Sequence, residues 1–547
     1  MTPGRKLTLS ASLTITASLV TLVTFGQIAN PMPQKIETSG LTYQLEPFAS
    51  IQRTSGVAPK ARINMLRELP DGSGRMGVND LRGLMWVLDH GLSSLYLNLF
   101  DYFDDFIHQP GKGTGFGAFA FHPDFLKNGL FYTAHSEKAN AAPADFSPFA
   151  YQHISLQWVV TEWQATSTSA NTFEGTHREL LRMDYPDVLH GIQEITFNPT
   201  VSPGDPDYGL LYICVGEGGS SINFLEENIQ TISSYLGTIF RIDPLGTNSV
   251  NGKYGYPADN PFVGVPDALP EIWAYGFRNP HRICWDPAGD HRMLIADIGE
   301  KNLEEVNIGL KGANYGWGVR EGTFVYRRSS GREFVYPLPA DDSIYGYTYP
   351  VAQFDHDEGL AIVGGFVYRG QQFPELTGNY IFGDIPSGRL FRVPVDSLQT
   401  GRLANIEEIN LHTAQGNATS LLKLVGGDRV DLRFGVDADG EFYILTKGDG
   451  MIRRFVNQTT STRPIQLSDQ WSLYPNPGHQ SLHIRMFQPL VGPAVLRISS
   501  LDGKTIIQKA LRSTQEMVDV ANWPAGVYLV RVQTGRGILT GKWVKAR

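Results

Sequence analysis

Apolar positions in this chain recur at strand spacing, in short runs that come in pairs across a polar glycine turn. Amphipathic helical periodicity is hard to find beyond the first 26 residues. Six stretches carry the strand pair: 74–88 (GRMGVNDLRGLMWVL), 129–136 (GLFYTAHS), 209–219 (GLLYICVGEGG, with its partner GTIFRIDP starting at Gly237), 292–300 (RMLIADIGE), 378–393 (GNYIFGDIPSGRLFRV) and 440–455 (GEFYILTKGDGMIRRF). Each pair alone leaves an apolar face wet, and repetition about an axis buries those faces. The pattern predicts an all-β chain whose main body, residues 40–456, is a six-bladed β-propeller of about 70 residues per blade. The competing reading is a multi-sheet sandwich. Segments 137–171 and 220–236 are expected as long loops on one face of the disc, where sites are usually built.

The pattern changes at both ends. Residues 457–468 (NQTTSTRPIQLS) are polar and read as a linker. Residues 469–547 alternate apolar and polar positions around turns at Asp502-Gly503 and Pro524-Ala525-Gly526, which predicts a small antiparallel β-sandwich with a basic end (Lys542, Lys545, Arg547). Residues 1–26 read as a cleaved secretory signal, with Arg5 and Lys6 before an uncharged apolar and hydroxylic run. Thr24 and Gly26 stand where a signal peptidase wants small residues. No later segment is apolar enough to cross a bilayer.

Composition narrows the function classes. At 547 residues the chain is too long for one ordinary core. With 41% hydrophobic and 18% charged residues it is globular rather than disordered. The net charge of −9 argues against a nucleic-acid partner, which would meet a basic stripe. The two cysteines, Cys214 and Cys284, both lie in strand-like runs. Export permits a disulfide, burial as free thiols is slightly favoured, and spacing does not decide between them.

Three places carry residues suited to chemistry. His190 stands on a turn just before the run GIQEITFNP, where a neutral imidazole can take a proton. With 13 histidines in the chain, a surface or turn-capping histidine is the simpler reading on sequence alone. Arg278-Asn279 precedes Pro280 on another turn, and a permanent cation there can steady developing negative charge or simply pair with an acid. The loop from Asp297 through Gly299, Glu300, Glu304 and Glu305 to Tyr315 offers carboxylates and carbonyls of the kind calcium prefers; a solvated acidic turn is the other reading.

The stretches GTGFGAFAFHPDFLKNGLFYTAHS, LLYICVGEGG, GYPADNPFVG, EIWAYGFRNPHRICWDP, ADIGEKNLEEVNIGLKGANYGW and GGFVYRGQQFPELTGNYIFGD, in that order, resemble the glucose/sorbosone dehydrogenase family of soluble quinoproteins. The resemblance covers nearly all of residues 60–456. It implies a pyrroloquinoline quinone (PQQ) and calcium cofactor pair, an aldose or related sugar as substrate, and an external electron acceptor. His190 corresponds to the general base, Arg278 to the charge stabiliser at the quinone, and Asn279 to a cofactor contact. Gly299, Glu300, Glu305 and Tyr315 correspond to calcium-region positions. A binding propeller without chemistry, holding calcium and recognising glycans or proteins, is the alternative, since hedgehog-interacting proteins share the family. Two departures stand out. Gly113 replaces the family's quinone-binding glutamine, and the last blade reads Arg429-Val430-Asp431-Leu432-Arg433, with Val430 and Leu432 at the positions of the cofactor-gripping arginines. One residue of shift in a strand reverses the face, so weaker grip on a tricarboxylate is expected. Residues 469–547 resemble the C-terminal sorting domain of the type IX secretion pathway, on Tyr474-Pro475-Asn476-Pro477, Leu501-Asp502-Gly503 and Pro524-Ala525-Gly526-Val527-Tyr528. That implies passage through the periplasm, then release or attachment at the cell surface.

Overall fold

Strand pairs of the kind seen in the sequence become the middle of larger units. The computed structural model describes residues 26–89, 92–111, 113–148, 153–220, 228–456, 471–487, 494–500, 504–534 and 537–546. The expected leader (all but Gly26), the linker 457–468 and the Leu501-Asp502-Gly503 turn lie outside them. Among the described residues, six four-stranded blades surround one axis, which is the predicted six-bladed propeller.

The first blade is built from Ile63–Glu68, Met76–Asp80, Leu84–Asp89 and Leu92–Asn98. The second uses Phe116–Phe121, Leu130–Lys138, Leu156–Ala165 and Gly175–Tyr185. The third uses Ile192–Phe197, Leu211–Val215, Thr238–Ile242 and Ile272–Tyr275. The fourth uses Pro280–Trp285, Met293–Asp297, Leu303–Ile308 and Ala352–Asp355. The fifth uses Ile362–Val367, Asn379–Asp384, Leu390–Pro394 and Glu407–His412. The sixth takes Leu432–Val436, Phe442–Thr446 and Met451–Val456 from the end of the propeller chain and Glu37–Ser50 from its beginning. Leu45 stands opposite Phe455 in that antiparallel pairing, so the two ends of the ring are fastened by a shared sheet. Closure of this kind leaves no open sheet edge between first and last blades.

Each sequence repeat marks the second strand of its blade, and in most blades the third. The innermost strands escaped the pattern because they are buried on both faces, and some of them, through Asn64, Gln193 and Arg433, place polar residues at the axis. Segment 137–171 is not a free loop: Leu156–Ala165 inside it is a ten-residue strand of the second blade. Large side chains fill the space between blades, with Trp86, Trp158, Trp163 and Tyr132 almost wholly buried. Removing one such aromatic costs about 3–5 kcal/mol in a well-packed core.

Residues 471–546 form a two-sheet sandwich. Trp471–Tyr474, Ser481–Met486 and Gln515–Asp519 make one sheet; Thr505–Leu511, Ala494–Ser500, Gly526–Thr534 and Gly537–Lys545 make the other. Trp543 is buried between them and its indole N–H donates to the Pro475 carbonyl at 2.7 Å. Cys214 and Cys284 are free and buried, and burial pushes both thiols up. Among the described residues no helix is long and apolar enough to cross a membrane.

Candidate active site

The axis of the propeller is built from alternation. In Ile63–Glu68, Ile63 and Met65 pack into the apolar core, and Asn64 between them reaches across the ring. Its amide donates to the Gly117 carbonyl at 2.7 Å, and its oxygen accepts from Arg433 Nε and Lys447 Nζ, both at 2.9 Å. In Leu432–Val436, Leu432 is core and Arg433 points to the axis. Arg282 closes the centre, donating to the carbonyls of Asn64, Gln193 and His281. Above this plug lies a cavity of about 600 Å³, lined among others by His190, Gln193, Asn279, His281, Arg433 and Lys447.

His190 sits in the turn between the second and third blades at φ 52°, a left-handed backbone that a side chain adopts only when its surroundings hold it there. What holds it is close approach. A Cβ at Gly216 would lie 2.1 Å from the His190 carbonyl, so only glycine lets the second strand of the third blade end against this turn. The imidazole Nδ1 is 3.0 Å from Glu217 Oε1, and Glu217 Oε2 accepts the Trp317 indole N–H at 3.0 Å. The carboxylate is fully buried. Burial opposes its ionisation, but the hydrogen bonds from His190 and Trp317, the charge of Arg278 and, at the acid pH where the imidazole is protonated, the charge of His190 hold it down at about 2. An ionised Glu217 requires the proton on Nδ1 and leaves Nε2 as the basic atom. No hydrogen bond engages Nε2 among the described residues. Burial, then the positive charge of Arg278, lowers the imidazole below its ordinary value, with Glu217 pulling the other way. His190 is therefore neutral and able to accept a proton at pH 7.

Arg278 and Asn279 are set by the fourth blade. Asp297 accepts both backbone N–H groups of the turn, at 3.1 and 2.7 Å. Asn279 lines the cavity, whereas the Arg278 side chain lies behind its wall. Its guanidinium donates to Glu300 from Nε and Nη2, at 3.1 and 2.7 Å, and from Nη1 to the Gly299 carbonyl at 2.6 Å. It also stacks over Trp317 at 5.4 Å and comes within 4.0 Å of Glu217.

The four residues expected to frame a calcium site meet other partners. Gly299 and Glu300 are engaged by Arg278, and Glu300 also by Arg332 at 2.9 Å. Glu305 accepts from Gly322 N at 2.6 Å and Asn307 at 3.0 Å, with burial raising its carboxyl to about 7. Tyr315 stacks on Phe277 and hydrogen-bonds Ile308 O. The turn at 300–303 aims its amides at an anion, since Glu321 Oε1 accepts from Glu300, Lys301, Asn302 and Leu303 N–H. No group of three or more His, Cys, Asp or Glu side chains among the described residues is placed to hold a metal ion. In this arrangement the Arg278 guanidinium takes the Gly299 carbonyl, one of the oxygens expected to face a calcium ion. The carboxylates of this region are held by guanidinium groups at Glu300 and by backbone amides at Glu305 and Glu321.

The departures in the sequence look different in space. Gln193, three residues after His190, donates its amide to the Gly113 carbonyl at 2.7 Å, so an amide does stand beside the glycine. Val430 and Leu432 are fully buried, while Arg429, Arg433 and Lys447 all line the cavity. Sequence reasoning missed Glu217, Gln193 and Lys447. The adjacent polar pair Gln193-Glu194 in an otherwise largely apolar inner strand was a usable signal for Gln193. Glu217 in GEGG and Lys447 in TKGDG carried none.

Comparison with known proteins gives the frame. A family profile described as glucose/sorbosone dehydrogenase matches residues 66–454, and one described as a secretion system C-terminal sorting domain matches residues 472–546. The HIPL1 protein of Arabidopsis thaliana is 29% identical over 375 residues, covering 59% of this chain and 51% of its own. Quinoprotein glucose dehydrogenase B of Acinetobacter calcoaceticus is 26% identical over 257 residues, 44% of this chain and 47% of its own. A solved glucose dehydrogenase superposes with a TM-score of 0.53 at 19% identity, over 76% of this chain and 99% of its own, which shows a shared fold. The chain spans about half the length of the first two curated relatives it matches.

Proposed function

The chain belongs to the glucose/sorbosone dehydrogenase family, and on that premise we propose that it is an exported quinoprotein oxidising a hydroxyl of an aldose or related sugar. One observation carries the reading: a strained, neutral His190, oriented by an ionised Glu217, stands on the wall of the axial cavity. Such a group is built to take a proton from a hydroxyl as hydride leaves the same carbon. The cavity, about 600 Å³ and rich in cationic side chains, suits an anionic cofactor of the size of PQQ. A bound PQQ would supply the two-electron acceptor carbonyl.

In this reading His190 Nε2 takes the proton. Glu217 holds the ring and fixes its tautomer. Asn279 offers an amide to the cofactor from the cavity wall. Arg278 contributes its positive charge from behind that wall, lowering the basicity of His190 and favouring negative charge that develops in the cavity. The depth of the site at the propeller axis limits the water around the reacting atoms. No step is assigned to calcium. An external acceptor re-oxidises the cofactor, and the sorting domain hands the chain to the type IX machinery, so that residues 40–456 work outside the cell or on its surface after loss of a leader at 1–26 and passage through the periplasm.

The test is reconstitution of the purified full chain with PQQ, followed by dye reduction across a panel of aldoses. Sugar-dependent reduction that falls about 10²–10⁴-fold in His190→Asn supports the reading, and failure to take up PQQ overturns it. A second reading, a propeller that recognises glycans or proteins without chemistry, is favoured by the commitment of the Arg278 guanidinium to Glu300 and Gly299. It predicts that His190→Asn leaves glycan or protein capture unchanged.

A further inference from the structure

The propeller axis has a second mouth. The cavity described above is lined by residues that precede the inner strands, among them Arg62, His190, Asn279 and Asp431. A separate cavity of about 640 Å³ takes the last residue of each inner strand: Glu68, Phe121, Phe197, Trp285, Val367 and Val436. It therefore opens at the opposite end of the ring, with Arg282 and the carbonyls it holds between the two. Two residues past the ends of the first four inner strands stand Pro70, Pro123, Pro199 and Pro287, which line the mouth with residues that have no backbone N–H.

Its wall is aromatic and its unmatched charge is acidic. Phe121, Phe197 and Trp285 keep 8, 7 and 7% of their surface exposed, whereas Phe116, Phe119 and Phe131 within the blades are at 0%; the difference is surface turned to this cavity. Phe366 adds a fourth ring. The basic residue on the wall, Arg67, gives its charge to Glu194 and a hydrogen bond to Ile195 O at 3.0 Å. The acids are not matched in this way. Glu68 Oε2 accepts the Ala438 N–H at 2.7 Å, and Asp437 accepts the Glu441 N–H at 2.8 Å and the Tyr443 hydroxyl at 3.0 Å. Neither carboxylate has a basic partner among the described residues, and Glu68 Oε1 meets no donor among them. Burial pushes both carboxyls up; at Glu68 the Ala438 N–H pulls the other way, and the charges of Asp437 and Asp439 add to the rise. A half-buried carboxylate without a counter-charge is destabilising, and a cation brought beside it offsets the penalty. The negative faces of aromatic rings attract a cation too. An anion would meet acids and prolines here, and a purely apolar molecule would leave the acids unmatched.

We propose that this second mouth binds an organic cation with an apolar body, whose ring or chain packs against Phe121, Phe197 and Trp285 while its ammonium group lies at Glu68 and Asp437. The volume is that of a small-molecule site. Arg62, Arg433 and Lys447 on the wall of the first cavity oppose the same ligand, so the two ends of the ring differ in the sign of the charge they accept. This site stands apart from the quinoprotein reading, and occupancy of one mouth implies nothing about the other.

The experiment titrates the full chain calorimetrically, at neutral pH and without PQQ, with three indoles that share a ring and differ in charge: tryptamine as the cation, indole-3-acetamide as the neutral form and indole-3-acetate as the anion. Tryptamine should bind about fivefold or more tightly than the amide, with the acetate weakest. Glu68→Gln should bring tryptamine to within about twofold of the amide. Ala438→Lys, at an exposed position on the rim, supplies a tethered ammonium and should weaken tryptamine while leaving the amide unchanged. An amide that binds as tightly as tryptamine, or no binding of either, overturns the proposal on the wild type alone, so a variant that fails to fold leaves the test intact. A preference for tryptamine that survives both substitutions puts the cation elsewhere and overturns it as well.

Discussion

Glu217→Gln changes one atom in a fully buried side chain and separates charge from shape at the centre of the proposed site. Among the described residues the carboxylate accepts hydrogen bonds from His190 Nδ1 and Trp317 Nε1, each at 3.0 Å. An amide has one oxygen, so it satisfies only one of these donors and turns its NH₂ toward the other. If the NH₂ faces His190, the imidazole must put its proton on Nε2, which removes the base. A positioned base is worth about 10²–10⁴ in rate, so kcat for sugar oxidation should fall by about 10² or more, with KM and PQQ affinity little changed. The pH dependence has a definite sign. Glu217 pulls the His190 pKa up, against burial and Arg278. Loss of the carboxylate therefore moves the acid limb of the residual kcat to lower pH. Stability moves as well. Glu217 is ordinarily near 4.5 and is held at about 2 in the fold, which contributes stability above pH 4.5 that is lost as pH falls toward 2. The magnitude is about 3 kcal/mol, so the wild type's stability lead over Glu217→Gln should shrink by that amount over this range in urea unfolding. A variant that keeps half the wild-type rate, or whose acid limb moves up, would refute the His190–Glu217 assignment.

Three further outcomes follow from the same geometry. Arg278→Met leaves Glu300 and Glu217 short of a buried partner and should lower stability by about 3–5 kcal/mol in denaturant titration; Arg278→Lys should recover little, since one ammonium cannot serve both Glu300 and the Gly299 carbonyl. Gly216→Ala places a Cβ 2.1 Å from the His190 carbonyl, so the turn must move, and the rate should fall more than the thermal midpoint does. Because Arg278 takes the Gly299 carbonyl expected to face calcium, a chelator should leave the thermal midpoint within about 1 °C, and a drop of several degrees would show a metal bound in the fold.

The legible part of this protein was its periodicity. Six strand pairs, a change of pattern after residue 456 and the alternation of the last eighty residues led to the propeller and the sandwich, because burying an apolar face is a local property of a strand and recurs wherever the strand does. His190 and Asn279 were legible as residues on turns next to strands, and both reach the cavity. The closing strand Glu37–Ser50 was not legible, since nothing in its own pattern says that its partner lies some four hundred residues away. Glu217 and Lys447 were invisible for the same reason: each is an isolated polar residue whose meaning is set by a neighbour from another part of the ring. How the acidic loop is held was not legible, because composition records the carboxylates and not the amides and guanidinium groups that close on them. The order of strands along the chain determined what kind of object this is. Which charges face each other across its axis, and which of them remain uncompensated, was decided only when six inner strands met at one line.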